Sequence, residues 1–348
     1  MAIPARSSRW KDLARSQIDL LRIAEGFFGS RILFALNRLG VFEAIGDDTL
    51  SAAEIGARIG ADVPHLTRLL RAGALLELLV ATDDRGYRVP ERWQPLLSDP
   101  ATDTYLGNWL RFLSYLDSSL GELDRAVTAG GPAAPLLEVK DRPDLREFTL
   151  AMHNYAALRG RELQEYLDTS ACRTLLDVGC GPGTYAFQLG LRNPDLALHL
   201  VDLPEILEIA AEVQARYPLR NAVHYLPLDL EHEDVSGSYD LVLVSNTLHM
   251  LGERESRRLL RRLYPVVSPG GSLVVQAQYL NDDRMGGRWP IFLDLVQLCV
   301  TREGRNHTVE ETTAWLQEAG FTDIQYCPMS AFNTNAFLRA YRPPDDPS

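Results

Sequence analysis

The chain has 348 residues, is 46% hydrophobic and 24% charged, and carries a formal net charge of −12. That length allows two domains with a core each, and the composition is that of a globular protein. The acid excess argues against a nucleic-acid backbone as partner, which needs a basic face, and no apolar run reaches the roughly 18–20 residues of a membrane span.

The four cysteines, Cys172, Cys180, Cys299 and Cys327, show neither metal-ligand nor disulfide-framework spacing. The first residues, MAIPARSSRWKDLARSQ, lack an apolar signal core. Both observations lead us to expect a cytoplasmic protein that holds no metal.

In chain order, Ser16–Gly29 predicts a helix through Ile18, Leu21, Ile23, Phe27 and Phe28, and Arg31–Leu39, closed by Gly40, predicts a second. Ser51 with Glu54 forms a capping box that starts a third, and Pro64–Leu78 reads as a fourth. Val80–Pro90 resembles a short β-wing, so the segment has the pattern of a winged-helix-like module. A DNA-binding role would require a basic recognition helix, whereas Pro64–Leu78 carries mainly Leu, Ala and Gly. A dimerisation module that also closes over an active site is the competing role, favoured by Phe27, Phe28, Leu33 and Leu36, although these could equally be buried within one chain.

Ala101–Gly130 predicts one long helix with Trp109, Phe112, Tyr115 and Leu116 on one face, and Asp144–Leu167 another. Strand-like runs follow at Thr174–Val178, Ala197–Val201, His224–Leu226, Leu241–Val244 and Ser272–Ala277, separated by helical stretches such as Glu205–Tyr217 and Arg254–Val267. Helix Val309–Ala319 and strands Asp323–Pro328 and Asn335–Tyr341 close the chain. This rhythm predicts an α/β fold: a Rossmann-like, mostly parallel seven-stranded sheet with helices on both faces, beside an N-terminal, mainly helical, winged-helix-like domain. The expected divisions are 1–100 for the winged module, 101–168 for a helical linker lining the active site, and 169–343 for the cofactor domain.

Within that domain Leu175–Thr184 reads LLDVGCGPGT, and Leu198–Pro204 reads LHLVDLP. An apolar run feeds a glycine turn, and about twenty residues later an acid ends a second run; this is the pattern of a nucleotide-type cofactor at the carboxyl ends of parallel strands. Gly179, Gly181 and Gly183 let backbone approach a ligand, and Asp202 can accept from both hydroxyls of a ribose. Pro182 removes an N–H that a pyrophosphate cradle would use, which fits a cofactor without a diphosphate. At these residues the chain resembles the S-adenosylmethionine-dependent methyltransferases.

On that fold Asp229 would lie beside the adenine, with a helix or turn cap as its alternative role, and Leu203 and Leu230 would flank the ring. Ser245 and Asn246 end the run LVLVSN and so face the cleft, and His249 follows directly in SNTLHML. Its unperturbed pKa, about 6.5, suits proton abstraction near neutral pH.

The winged module, the two cofactor motifs, the LHML segment and the closing Ala331-Phe-Asn-Thr334 together resemble the small-molecule O-methyltransferases of the plant caffeate type and their bacterial polyketide-tailoring relatives, over nearly the whole chain. The resemblance implies S-adenosyl-L-methionine as cofactor, His249 as general base, and cofactor contacts from Gly179, Asp202, Asp229 and Ser245. It also implies a homodimer formed through the N-terminal module, and a small-molecule acceptor. Met152, Tyr155, Trp109, Phe112, Trp289, Phe292, Phe332 and Asn333 would line the acceptor pocket. Three departures stand out. Met250-Leu251 replaces the family's Asp-Trp, Ala277 stands where a glutamate orients the base, and Asn306 stands where a second acid is usual. Asp294 or Glu303 could substitute in space, or the amides of Gln278, Gln297, Asn306 and Asn333 could orient a substrate. An acidic phenol or enol would need only modest help from a solitary imidazole. The same departures leave room for a carbon or nitrogen acceptor, or for a non-methylating hydroxylation, decarboxylation or pericyclic step.

Overall fold

The computed structural model describes residues 7–132, 145–329 and 335–345, and divides into two compact units after Ser114. The first unit begins with helices α1 (Ser7–Ala24), α2 (Phe27–Arg38) and α3 (Val41–Ile45), then strand β1 (Leu50–Ser51) and helices α4 (Ala52–Ile59) and α5 (Val63–Leu75). Strands β2 (Val80–Ala81) and β3 (Gly86–Arg88) form the expected wing, and β1 joins it in the order β1-β3-β2. Helix α6 (Gln94–Leu97) follows, and α7 (Gly107–Leu120) runs across the division. The capping box is present: Ser51 Oγ accepts from Glu54 N, and the Glu54 carboxylate accepts from Ser51 N at 2.8 Å. Leu36, Phe42, Ile55 and Leu70 centre this unit's core.

Two helices differ from the sequence expectation. The first break falls at Gly26 rather than after Gly29, so Phe27 and Phe28 open α2 instead of ending α1. The single helix over 101–130 is also two: α7 stops at Leu120, and α8 (Leu123–Ala129) restarts after Gly121, a weak helix former. Residues 101–106 are not helical. There Tyr105 is buried, and its hydroxyl donates to Glu43 at 2.5 Å.

In the second unit α9 (Leu145–Tyr166) leads into β4 (Thr174–Val178), α10 (Thr184–Arg192), β5 (Ala197–Asp202), α11 (Pro204–Gln214), β6 (Val223–Pro227) and β7 (Tyr239–Ser245). Helix α12 (Glu253–Leu263), β8 (Val267–Ala277), α13 (Arg288–Val300), α14 (Val309–Glu318), β9 (Thr322–Pro328) and β10 (Ala336–Tyr341) complete it. The seven strands lie in the order β6-β5-β4-β7-β8-β10-β9. Pairing is parallel from β6 to β8, and β10 and β9 are antiparallel. Alternate residues of β4 feed opposite cores, Leu175 one and Leu176 and Val178 the other, which is why the central strands read as continuous apolar runs. The chain leaves β4 towards β5 on one side and returns to β7 on the other. That reversal opens a crevice at the strands' carboxyl ends. Among the described residues no helix is long and apolar enough to cross a membrane.

Candidate active site

A cavity of about 260 Å³ occupies this crevice. Its floor is the turn from β4 into α10. Gly181 takes φ +53° and nothing stands within 4 Å of where its Cβ would be, so its backbone lies open to a ligand. Gly183 adopts φ +71°, and a Cβ there would come within 2.6 Å of Leu200 and Phe187; only glycine closes this turn.

Asp202 ends β5 beside that turn. Its Oδ2 accepts from Gly181 N and its Oδ1 from Leu203 N, both at 2.8 Å. Each carboxylate oxygen keeps a lone pair for a ligand hydroxyl. Burial pushes the Asp202 pKa up, against the pull of those two N–H groups. Asp177, the penultimate residue of β4, also lines the cavity and is fully enclosed; burial and the neighbouring Asp202 charge raise its pKa to about 7.

At the end of β7, Ser245 Oγ donates to Gln276 Oε1 at 3.0 Å. Asn246 sits at φ +53°, a conformation costly for a side-chain-bearing residue and frequent at functional sites. Its Nδ2 donates to Ser245 Oγ at 3.2 Å and to the Tyr185 hydroxyl at 3.4 Å, which leaves Oδ1 as the acceptor; that atom is buried without a partner among the described residues. Helix α9 supplies the opposite wall through Met152 and Tyr155. The Tyr155 hydroxyl is bonded by Gln278 Nε2, and the Arg159 guanidinium stands 3.7 Å from its ring centre.

The cavity thus gathers Gly179, Gly181, Asp202, Ser245, Asn246, Met152 and Tyr155 from the sequence-derived set. Its wall does not include Leu203, Asp229, Leu230, His249, Phe292 or Asn306. Leu203 precedes α11 as its N-cap, and Leu230 packs on one core. The Asp229 carboxylate accepts from Glu231 N at 3.1 Å, which is the turn-capping geometry. Trp109 and Phe112 belong to the first unit, with ring centres 5.4 Å apart. Phe332 and Asn333 lie outside the described residues. Sequence reasoning missed Asp177, although LLDVG displays it; it also missed Tyr185, for which no sequence signal existed.

His249 stands on the 3-10 turn Leu248–Met250, between two cavity residues, Thr247 and Met250. The residue is partly exposed, but its Nδ1 is buried and has no partner among the described residues. Burial, aided by repulsion from His307, lowers its pKa to about 4. Neither carboxylate considered as a substitute reaches His249 Nδ1. Asp294 Oδ1 accepts from Asn306 N at 2.7 Å, and Glu303 packs against Gly252, its Oε2 2.7 Å from where a Cβ would stand.

Comparison with known proteins agrees with this geometry. Residues 127–322, more than half of the chain, match the O-methyltransferase domain family, and residues 21–94 match the O-methyltransferase dimerisation domain. The chain is 26% identical to the 3-hydroxy-5-methyl-1-naphthoate 3-O-methyltransferase of Streptomyces sahachiroi, over 88% of this chain and 90% of that one. It is also 26% identical to the tetracenomycin polyketide synthesis 8-O-methyl transferase TcmO of Streptomyces glaucescens, over 93% and 97%. The solved structure of the mitomycin 7-O-methyltransferase MmcR superposes with a TM-score of 0.83 at 22% identity, covering 95% of this chain and 99% of that one. Human N-acetylserotonin methyltransferase, solved with S-adenosylmethionine, gives 0.83 at 23% identity, covering 99% of each. The chain therefore belongs to the O-methyltransferase family of S-adenosylmethionine-dependent small-molecule methyltransferases.

Proposed function

We propose that the chain methylates a phenol or enol oxygen of an aromatic or polyketide-like metabolite, with His249 taking the proton. The observation that carries this reading is the cavity at the β4–β7 reversal, where a glycine turn, a buried carboxylate and an orphaned amide oxygen face one space. These groups fit S-adenosylmethionine, which when bound supplies an electrophilic methyl group on a sulfonium. Asp202 offers lone pairs to the ribose diol, Gly179 and Gly181 admit its backbone-facing edge, and Asn246 Oδ1 accepts an N–H from the amino-acid end. Ser245 holds Asn246 in place. Asp229, Leu203 and Leu230 are assigned to the adenine end from their positions after β6 and β5. Met152 and Tyr155 turn α9 towards the acceptor, and Phe292 and Asn306 are offered to it from α13 and the loop beyond.

A base held near pKa 4 is weak, and weak bases serve acidic acceptors. A phenol of pKa about 7–10 fits, and an aliphatic alcohol does not. Alignment of acceptor and methyl supplies the remaining rate. Nitrogen as the acceptor is a second reading, favoured by 26% identity to the N,N-dimethyltransferase OxyT of Streptomyces rimosus; an amine needs no base before transfer. The dimerisation-domain match supports a homodimer. Four cysteines, all free, support a reducing cytoplasmic setting.

Methyl-labelled S-adenosylmethionine offered with a panel of phenols, enols, amines and carbon nucleophiles tests the proposal. Label in phenols or enols is expected. Label confined to amines moves the acceptor atom to nitrogen, and cofactor binding without transfer to any class overturns the proposal.

A further inference from the structure

The cavity at the β4–β7 reversal is rich in acceptors and poor in donors. Asp177 and Asp202 both line it, and among the described residues no lysine, arginine or histidine does. The glycine turn has spent its N–H groups. Gly179 N and Cys180 N donate to Val201 O, Gly181 N to Asp202 and Gly183 N to Cys180 O, while Pro182 has none. S-adenosylmethionine carries a carboxylate of its own beside an ammonium, and burying a carboxylate without donors is costly.

Most hydroxyls on the wall are committed. Thr149 donates to Leu145 O at 2.9 Å, Ser245 to Gln276 Oε1 at 3.0 Å and Thr247 to Ser245 O at 3.2 Å. Thr184 shares a bond with His153 Nδ1 at 2.9 Å, and Tyr155 is held by Gln278 and Arg159. Tyr185, the second residue of α10, differs: it lines the cavity, is buried, and takes a bond without giving one. Its oxygen accepts from Asn246 Nδ2 at 3.4 Å, and its proton reaches no acceptor among the described residues. Burial raises its pKa, against a pull from Gln276 and Ser245 near the oxygen, so the phenol keeps that proton at neutral pH.

We propose that the Tyr185 hydroxyl donates to the carboxylate of the cofactor's amino-acid end, beside the ammonium taken by Asn246 Oδ1. This rests on the reading of Asn246 as the partner of that end. One amide joins the two groups: Nδ2 binds the phenol oxygen, and Oδ1 is the buried acceptor without a partner among the described residues. In an amino acid the carboxylate and the ammonium share a carbon, so the donor and the acceptor that bind them must stand side by side, as these do. A phenol also adds no charge. A lysine or arginine in its place would oppose the positive sulfonium, whereas Tyr185 leaves the field of the two cavity carboxylates intact.

Calorimetric titration of the whole protein with S-adenosylhomocysteine, and with the same thioether lacking its carboxylate, tests the proposal without turnover. Tyr185→Phe fills the same space and removes only the hydroxyl. It is expected to weaken S-adenosylhomocysteine about tenfold or more, as loss of a hydrogen bond to a charged group does, and to leave the decarboxylated ligand within about twofold. Tyr185→Met, which also lacks the hydroxyl, should repeat the pattern, and thermal melting verifies that both variants fold. Unchanged affinity for S-adenosylhomocysteine, or an equal loss for both ligands, overturns the proposal. Asn246→Ala tests the reading beneath it: S-adenosylhomocysteine should lose more affinity than its desamino analogue. An equal loss on those two removes the ammonium from Asn246, while the Tyr185 comparison stands or falls by itself.

Discussion

Asp202 holds in place the turn beside it: its Oδ2 accepts from the Gly181 N–H at 2.8 Å, and both residues line the cavity. One carboxylate thereby shapes the glycine backbone and lines the cavity. Replacing it with alanine removes both functions. Asp202→Ala is expected to weaken S-adenosylmethionine binding at least about tenfold, because hydrogen bonds to a charged acceptor are worth about 1.5–3 kcal/mol each. Asp202→Asn should lose less, since one oxygen remains. Calorimetric titration decides, and unchanged affinity in the alanine variant refutes the ribose role.

Asp177 predicts a pH dependence with a definite sign. Its pKa is raised to about 7 in the folded chain, against an unfolded carboxyl near 4. Between those values the native state binds the extra proton, so its contribution to stability is present below about pH 4 and is lost as pH rises through 7. Asp202, also raised by burial, acts in the same direction. Asp177→Asn keeps an oxygen for the Ala186 N–H that the carboxylate accepts. Its melting temperature relative to wild type should therefore climb between pH 5 and pH 8. A flat difference across that range would show that Asp177 ionises normally.

His249→Ala should lower turnover at least about tenfold while cofactor affinity stays nearly constant, since the loss is of proton transfer rather than of binding. The imidazole acts when neutral and is neutral above about pH 4. The wild-type kcat profile should therefore be level from pH 5.5 to 7.5 and fall only as pH drops through about 4. A limb centred near 6.5 would show that its surroundings do not lower the pKa of this ring.

The sheet was readable because its order rests on local signals. Thr174–Val178 is a strand in both sequence and structure, an apolar run bounded by Arg173 and Gly179, and the capping box at Ser51 needs only four residues. Helix α13 escaped because Ile291, Phe292, Leu293, Leu295, Val296 and Leu298 leave no polar stripe to set a 3.6 period. Helix α7 was drawn too long because an isolated glycine such as Gly121 can end a helix or sit inside one. At the site, Asp202 and His249 could be placed by distance from a motif. Asp177 was hidden inside a hydrophobic run that ends one residue later at Val178. The approach of His307 to Leu248 joins residues 59 apart, and no spacing rule reaches across that gap.

The homodimer can be tested on α1. Ile23 is 80% exposed and Leu20 68% exposed on this helix, which continues into the segment matching the dimerisation domain. A monomer gains nothing from such side chains, whereas a two-fold contact would bury each of them twice. Fully burying one isoleucine is worth about 1.5–3 kcal/mol, so Ile23→Glu, acting in both copies, should raise the dimer dissociation constant about 100-fold or more. The melting temperature of the dissociated chain should barely change, because Ile23 contributes nothing to its own unit's core. Sedimentation over a concentration series reads the shift. An unchanged dimer after both Leu20→Glu and Ile23→Glu would place the interface on another face of the module.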